Sequence, residues 1–251
     1  MVTAALQQRA LPDGLLLWPA QRGEPPAPEW FDPDWLARAD CLRGQATGRG
    51  TTYFAVVGDR DVVLRHYRRG GAIRHLLADR YLWTGLTRCR PWRELAVQAA
   101  LHERGLPVPR PIGARVRRPR RWDPFYRADL LSERLGGTRT LAQCLASEGL
   151  APNAWAEIGR VLAAFHDAGL EHADLNAHNI LLDDAGSVSL IDFDRGRLHT
   201  GPGRWAPANL VRLRRSLDKL AGEGGPFAFD DGDWDRLTAG YERGRRWAER
   251  R

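Results

Sequence analysis

His172–Ala173–Asp174–Leu175–Asn176–Ala177–His178–Asn179, followed a few residues later by Ile191–Asp192–Phe193–Asp194, is the stretch from which the rest of the chain can be read. Moving a phosphoryl group from ATP to a hydroxyl needs a carboxylate that orients the attacking oxygen. It also needs oxygen ligands that hold Mg²⁺ against the phosphates. Asp174, in a polar loop directly after a predicted helix, is the candidate base, and Asn179 and Asp192 offer a neutral and a charged oxygen for the metal. The two metal ligands are spaced symmetrically about the Ala185–Gly186 bond, at the centre of the turn Asp184–Ala185–Gly186–Ser187. A hairpin in simple register would therefore set them opposite each other at its open end. Taken singly, Asp174 and Asn179 are ordinary turn-capping residues and Asp192 an ordinary strand end. The mechanism asks for the spaced set jointly.

Upstream, Gly44–Gln45–Ala46–Thr47–Gly48–Arg49–Gly50–Thr51 lies between two predicted strands. Gly48 and Gly50 would let backbone N–H groups approach phosphates closely. Val62–Val63–Leu64–Arg65 places a cation on the next strand, and Glu94 on the following helix is its expected partner, with Glu103 as second choice. Arg65 otherwise reads as a solvated cation on an edge strand. Glu133, near the end of the strand predicted over 128–134, is assigned to the same nucleotide-binding set.

The run from His172 to Asn179 with its later Asp-Phe resembles the protein-kinase catalytic loop and metal site, and Arg65 stands where kinases carry the lysine of Val-Ala-Ile-Lys. Arginine is a planar fork and not a point charge, yet it pairs well with phosphate or carboxylate. Ala173 occupies the place of the arginine that reads a phosphorylated activation loop, and no glycine follows Asp192–Phe193. From Asp194 to Arg251 the chain is short for the helical lobe and peptide platform of a protein kinase, which favours a small or lipid-linked acceptor.

Working outward gives an α+β pattern with a bilobal, kinase-like arrangement. Residues 1–34 read as an irregular, Pro-rich leader, 35–135 as an antiparallel nucleotide-binding lobe with one helix, and 136–251 as a compact, mainly helical catalytic lobe. Strands are predicted around 36–43, over Tyr53–Val57 and over Val62–Tyr67, with a hairpin turn at 58–61. Helical spacing runs from Trp92 to Arg104 with Gly105 as its stop, and the prolines of 106–111 require an extended connection. A helix capped by Asn153 carries Trp155, Ile158, Leu162 and Phe165 on one face, a hairpin spans 180–193, and a later helix aligns Leu210, Leu213, Leu217 and Leu220.

The 251 residues carry 38 Lys+Arg against 31 Asp+Glu, a net charge of +7 that is almost all arginine. Such charge suits nucleic acid, an anionic membrane surface or a phosphorylated substrate. No nucleic-acid-binding motif accompanies it, so nucleic acid is not an expected partner. Arg115–Arg121 is a cluster dense enough for reversible binding to anionic lipid, and the 10 tryptophans include some that would suit a membrane interface. No segment approaches the roughly 18 apolar residues of a membrane span, and three scattered cysteines point to a reducing compartment.

Across nearly the whole chain the combination resembles the bacterial lipopolysaccharide core kinases. The stretches that carry the likeness are Gly48–Arg49–Gly50–Thr51, Val63–Leu64–Arg65–His66–Tyr67–Arg68–Arg69–Gly70–Gly71, Gly105–Leu106–Pro107–Val108–Pro109–Arg110–Pro111 and His172 to Asn179. The resemblance implies ATP- and Mg²⁺-dependent phosphorylation of the 4-hydroxyl of 3-deoxy-D-manno-octulosonic acid (Kdo) on a lipid A precursor, by a peripheral protein at the cytoplasmic face of the inner membrane. The residues alone leave a heptose kinase of the same pathway, another small-molecule kinase, or a kinase-like pseudoenzyme that binds lipid or protein as the other readings.

Overall fold

The computed structural model describes residues 4–47, 51–68, 79–120, 122–201 and 203–248. The chain divides into two compact units. One comprises the chain up to Ala100 together with Pro109–Gly136; the other comprises Leu101–Val108 and the chain from Gly137 onward.

The first unit is an antiparallel sheet with helices. Its elements are β1 (Leu6–Leu11), β2 (Gly14–Pro19), α1 (Pro33–Arg38), β3 (Leu42–Thr47), β4 (Thr51–Val57), β5 (Arg60–His66), β6 (Tyr81–Leu82), most of α2 (Arg90–Glu103), β7 (Pro111–Arg117) and β8 (Phe125–Glu133). The strand order is β1-β2-β7-β8-β5-β4-β3, with β6 paired to β8. Because side chains alternate along each strand, the sheet has two apolar faces. On one, Ala55, Val62, Leu64 and Leu131 pack with Phe31 and Leu36 from the segment between β2 and β3. On the other, Leu17, Ala114, Ala128 and Leu130 pack with Leu95 of α2.

Two expectations change here. Residues 6–19, expected as irregular leader, form the β1–β2 hairpin, and β2 pairs with β7. Leu16, Leu17 and Trp18 are all buried, since β2 is an inner strand covered on both faces, and the alternation that marks a strand is lost. The strand expected around 36–43 is instead α1 followed by β3. Asp32 starts the helix, accepting from the Asp34 N–H at 3.0 Å, with Pro33 at the first helical position. Strand β7, also unexpected, completes the middle of the sheet.

The second unit holds β9 (Thr138–Thr140), α3 (Leu141–Ser147), α4 (Pro152–Asp167), β10 (Leu170–Glu171), β11 (Ile180–Asp183), β12 (Val188–Leu190), β13 (Arg197–Leu198), α5 (Trp205–Ala221) and α6 (Asp231–Ala248). Trp155, Ile158, Leu162 and Phe165 of α4 are buried as their spacing predicts. The helix begins one residue before Asn153, however, with Ala151 at its cap and Pro152 needing no N–H partner. Helix α3, unread in the sequence, is started by a capping box between Thr140 and Gln143. Helix α6 was also unread; it packs along α4 through glycines that replace the apolar signal. Among the described residues no helix is long and apolar enough to cross a membrane. All three cysteines are free.

Candidate active site

In the second unit, the loop between β10 and β11 is pinned from below and from both ends. Leu175 and Ala177 are fully buried and anchor it in the core. His172, 1 % exposed, exchanges backbone bonds with Asn209 of α5: its N–H donates to Asn209 Oδ1 at 2.9 Å, and Asn209 Nδ2 donates to its carbonyl at 3.0 Å. The His172 ring lies beside buried Phe193, with centroids 5.6 Å apart. Its Nε2 bonds the Ile191 carbonyl at 3.1 Å and its Nδ1 accepts the Asp174 N–H at 3.2 Å. Those two partners require the neutral tautomer protonated at Nε2. Burial lowers the His172 pKa in the same sense.

The Asp174 carbonyl accepts from Asn176 Nδ2 at 3.0 Å and Asn179 Nδ2 at 2.9 Å, which closes the loop on itself. With Nδ2 of Asn179 committed to Asp174, Oδ1 is the atom that a cation would take. The Asn179 carbonyl accepts the Ile191 N–H at 3.1 Å, so the strand before Asp192 is tied to the candidate metal-ligand residue itself. Asp192 has φ 63°, a left-handed backbone uncommon outside glycine and found at sites that demand a particular side-chain direction.

The register differs by one residue from the expectation. Ile180 pairs with Leu190, so Asn179 lies opposite Ile191 and not Asp192. The reason is the turn: the Gly186 N–H bonds the Asp183 carbonyl at 3.0 Å and Gly186 adopts φ 81°, giving a three-residue connection where a two-residue one was assumed. Asp192 is thus the first residue beyond the pairing, where its left-handed turn redirects it. The donor set, one anionic and one neutral hard oxygen, fits Mg²⁺. Among the described residues no group of three or more His, Cys, Asp or Glu could hold a metal by itself, so a cation here would need oxygens from another source, as a phosphate-bound Mg²⁺ has.

In the first unit, Arg65 pairs in register with Thr52 and Leu130. Its guanidinium forms an ion pair with Glu94 Oε1 and lies 5.0 Å from the centre of the Tyr67 ring. The Glu94 carboxylate is 2 % exposed and also accepts from the Tyr67 hydroxyl. Burying a carboxylate is costly unless it is paired and hydrogen-bonded, and both conditions are met here. Glu103 lies on the exposed end of α2. Glu133 is held by Arg60 Nη1 at 2.6 Å and Arg110 Nη1 at 3.7 Å. Gly48 and Gly50 lie outside the described residues; β3 and β4, which flank them, are paired from Thr47↔Thr51 onward.

Two positioning residues escaped the sequence reading. Tyr67 is two positions beyond Arg65, hence on the same side of the chain, and that spacing was a usable signal. Asn209 stands in the buried stripe of α5 with Ala206, Leu213 and Leu217, a polar residue at an apolar spacing.

The model of the lipopolysaccharide kinase (Kdo/WaaP) family matches residues 34–241. A protein of Xylella fastidiosa described as 3-deoxy-D-manno-octulosonic acid kinase is 42% identical over 231 residues, covering 92% of this chain and 90% of the relative. One of Stenotrophomonas maltophilia with the same description is 49% identical over 177 residues, 70% of this chain and 69% of the relative. A solved structure described as WaaP in complex with acyl carrier protein superposes with a TM-score of 0.52 at 19% identity, over 86% of this chain and 90% of that one, which shows a shared kinase-like fold.

Proposed function

This chain belongs to the lipopolysaccharide kinase (Kdo/WaaP) family, and from that premise we propose that it transfers the γ-phosphoryl group of ATP to the 4-hydroxyl of a Kdo sugar on a lipid A precursor. The observation that carries the proposal is the tie between base and metal ligand: Asn179 Nδ2 donates to the Asp174 carbonyl at 2.9 Å. The backbone that carries the candidate base is thereby tied to the residue that would hold the cation.

Asp174 accepts a hydrogen bond from the acceptor hydroxyl, aims its oxygen at the γ-phosphorus and takes its proton as the new P–O bond forms and the γ-phosphorus parts from the bridging oxygen of the departing ADP. Asn179 and Asp192 would hold Mg²⁺. When bound, the ion neutralises charge on the phosphate oxygens. Arg65, steadied by Glu94 and Tyr67, would place a fork of donors against the nucleotide phosphates. The sugar acceptor follows from the family and the relatives, since the site residues are those of any such kinase. We place the protein peripherally on the cytoplasmic face of the inner membrane, where its positive charge would meet anionic lipid and its lipid-linked acceptor.

The test is incubation of purified protein with labelled ATP, Mg²⁺ and a panel of Kdo-, heptose- and peptide-containing acceptors. Mass spectrometry should find one phosphate added to the Kdo unit. Transfer to heptose with none to Kdo moves the assignment within the family, and transfer only to serine or threonine overturns the acceptor class.

A further inference from the structure

Among the described residues three large apolar side chains are exposed, Leu82, Trp122 and Val211. Two of them lie on neighbouring segments of the first unit. Leu82 on β6 pairs with Phe125 on β8, the Trp83 N–H donates to the Pro124 carbonyl at 2.8 Å, and Trp122 lies in the connection from β7 to β8. Trp122 is 74% exposed and Leu82 57%. Indoles are normally well buried, so one left this open, with a second exposed apolar side chain on the segment paired next to it, marks a surface with a task.

The connection is internally built. Asp123 donates its N–H to the Arg120 carbonyl at 2.9 Å, its Oδ1 accepts the Phe125 N–H at 2.9 Å, and its carbonyl accepts Arg118 Nε at 2.8 Å. Arginines attend both tryptophans: Arg120 lies 5.1 Å from the Trp122 ring and Arg118 4.9 Å from the Trp83 ring. Neighbouring acids are matched, Asp13 by Arg115 and Asp79 by Arg127. The exposed prolines Pro119 and Pro124 flank the loop and offer no N–H for strand addition.

We propose that Leu82 and Trp122, with Arg118 and Arg120 beside them, form a wedge that enters the interface of an anionic bilayer. A tryptophan prefers the headgroup level, where its ring is half in hydrocarbon and its N–H stays wet. Arginines next to it are drawn to lipid phosphates, and an apolar tip a few ångströms deep adds the insertion that charge alone lacks. A bilayer fits better than a protein groove because the two apolar tips are set among cations suited to phosphate. The inference rests on the proposed lipid-linked acceptor, since it names the surface from which such an acceptor would be met.

The experiment is flotation with vesicles of phosphatidylcholine and phosphatidylglycerol in equal parts, and with phosphatidylcholine alone, using wild type, Trp122→Ser, Leu82→Ser, Arg118→Glu with Arg120→Glu, and Val211→Ser as control. Trp122→Ser and Leu82→Ser should each weaken partitioning, the former by about tenfold. The charge reversal should abolish the preference for phosphatidylglycerol, and Val211→Ser should change nothing. Turnover on Kdo acceptor dispersed in detergent should be unaffected by Trp122→Ser. Equal flotation of wild type and Trp122→Ser overturns the wedge, as does a Trp122-dependent complex with a protein in place of vesicle binding. A protein that phosphorylates Kdo acceptor in detergent yet ignores vesicles keeps its proposed activity and loses both this surface and the membrane placement. One that floats by Trp122 but phosphorylates no Kdo acceptor does the reverse.

Discussion

The His172 ring joins the two halves of the candidate catalytic motif, with Nε2 on the Ile191 carbonyl at 3.1 Å and Nδ1 receiving the Asp174 N–H at 3.2 Å. One buried imidazole thus sets both the residue that carries the base and the strand that leads to Asp192. His172→Phe puts a somewhat larger, apolar ring beside Phe193 and leaves the Ile191 carbonyl and Asp174 N–H without their His172 partner. Each orphaned part-buried group costs up to about 1–3 kcal/mol. The expected outcome is a lowered melting temperature and kcat reduced by about tenfold or more, with His172→Gln recovering part of both. A His172→Phe enzyme with wild-type kcat would show that the ring has no part in aligning the site.

Asp174→Asn should lower phosphoryl transfer by about 100-fold or more while leaving the fold and nucleotide binding nearly unchanged, the usual cost of a positioned general base. Asp192→Asn should act differently, raising the Mg²⁺ concentration needed for half-maximal rate, because it removes the anionic ligand. Calorimetric titration of Mg²⁺–ATP separates the two effects. Asp192→Asn binding Mg²⁺–ATP as tightly as wild type would remove that residue from the metal site.

Arg65→Ala takes the Arg65 counter-charge from the buried Glu94 carboxylate, which should lower stability by about 1–3 kcal/mol as well as raising KM for ATP. Glu94→Gln should be milder, because a neutral amide in that place needs no cation. Arg65→Lys should recover stability better than KM, since a lysine can pair with Glu94 but lacks the fork. Urea denaturation alongside ATP kinetics for the three variants makes the comparison. Equal stability of Arg65→Ala and wild type would mean that Glu94 does not depend on Arg65 for its burial.

Burial pushes the His166 pKa from 6.5 down to about 4, and the His172 pKa is lowered for the same reason. Both are neutral when folded and take up protons near their ordinary pKa when unfolded. The unfolded chain therefore binds more protons as pH falls below about 6.5. Stability from His166 is complete above that pH and declines toward pH 4, by at most roughly 1.4 kcal/mol per pH unit. Denaturation midpoints between about pH 7 and pH 5 should fall, and more shallowly in a His166→Gln variant. A midpoint that rises with acidification would contradict the assignment of neutral buried histidines.

Helices α4 and α6 meet backbone to backbone. A Cβ on Gly159 would stand 2.0 Å from the Leu237 carbonyl oxygen, and one on Gly240 2.1 Å from that of Ala156. Alanine in place of a mid-helix glycine ordinarily helps by about 1 kcal/mol. Here the clash should reverse the sign, with Gly240→Ala losing stability and Gly240→Val losing about 3 kcal/mol or more. Thermal melts settle the sign, and a raised melting temperature for Gly240→Ala would mean that the helices part at no cost.

Asp174, Asn179 and Asp192 stood out in the linear chain as candidates because phosphoryl transfer asks for a carboxylate base and oxygen ligands for the metal, and Glu94 was legible as the partner of Arg65 by its place on the next helix. The repeating apolar positions of α4 and α5 were equally plain. Wherever one face is buried and the other wet, periodicity survives in the residue order. Strand β2 was hidden because both of its faces are covered, α6 because glycines and charges hold it against α4, and the register of Asn179 because one residue more or less in the turn moves every pairing. Asn209 and Tyr67 declare their roles only once another element is packed against them. Local chemistry and periodicity are carried by neighbours in the chain, whereas burial on two faces, close backbone contact and the partner of a buried polar group depend on residues far away in sequence, and these only the folded chain brings together.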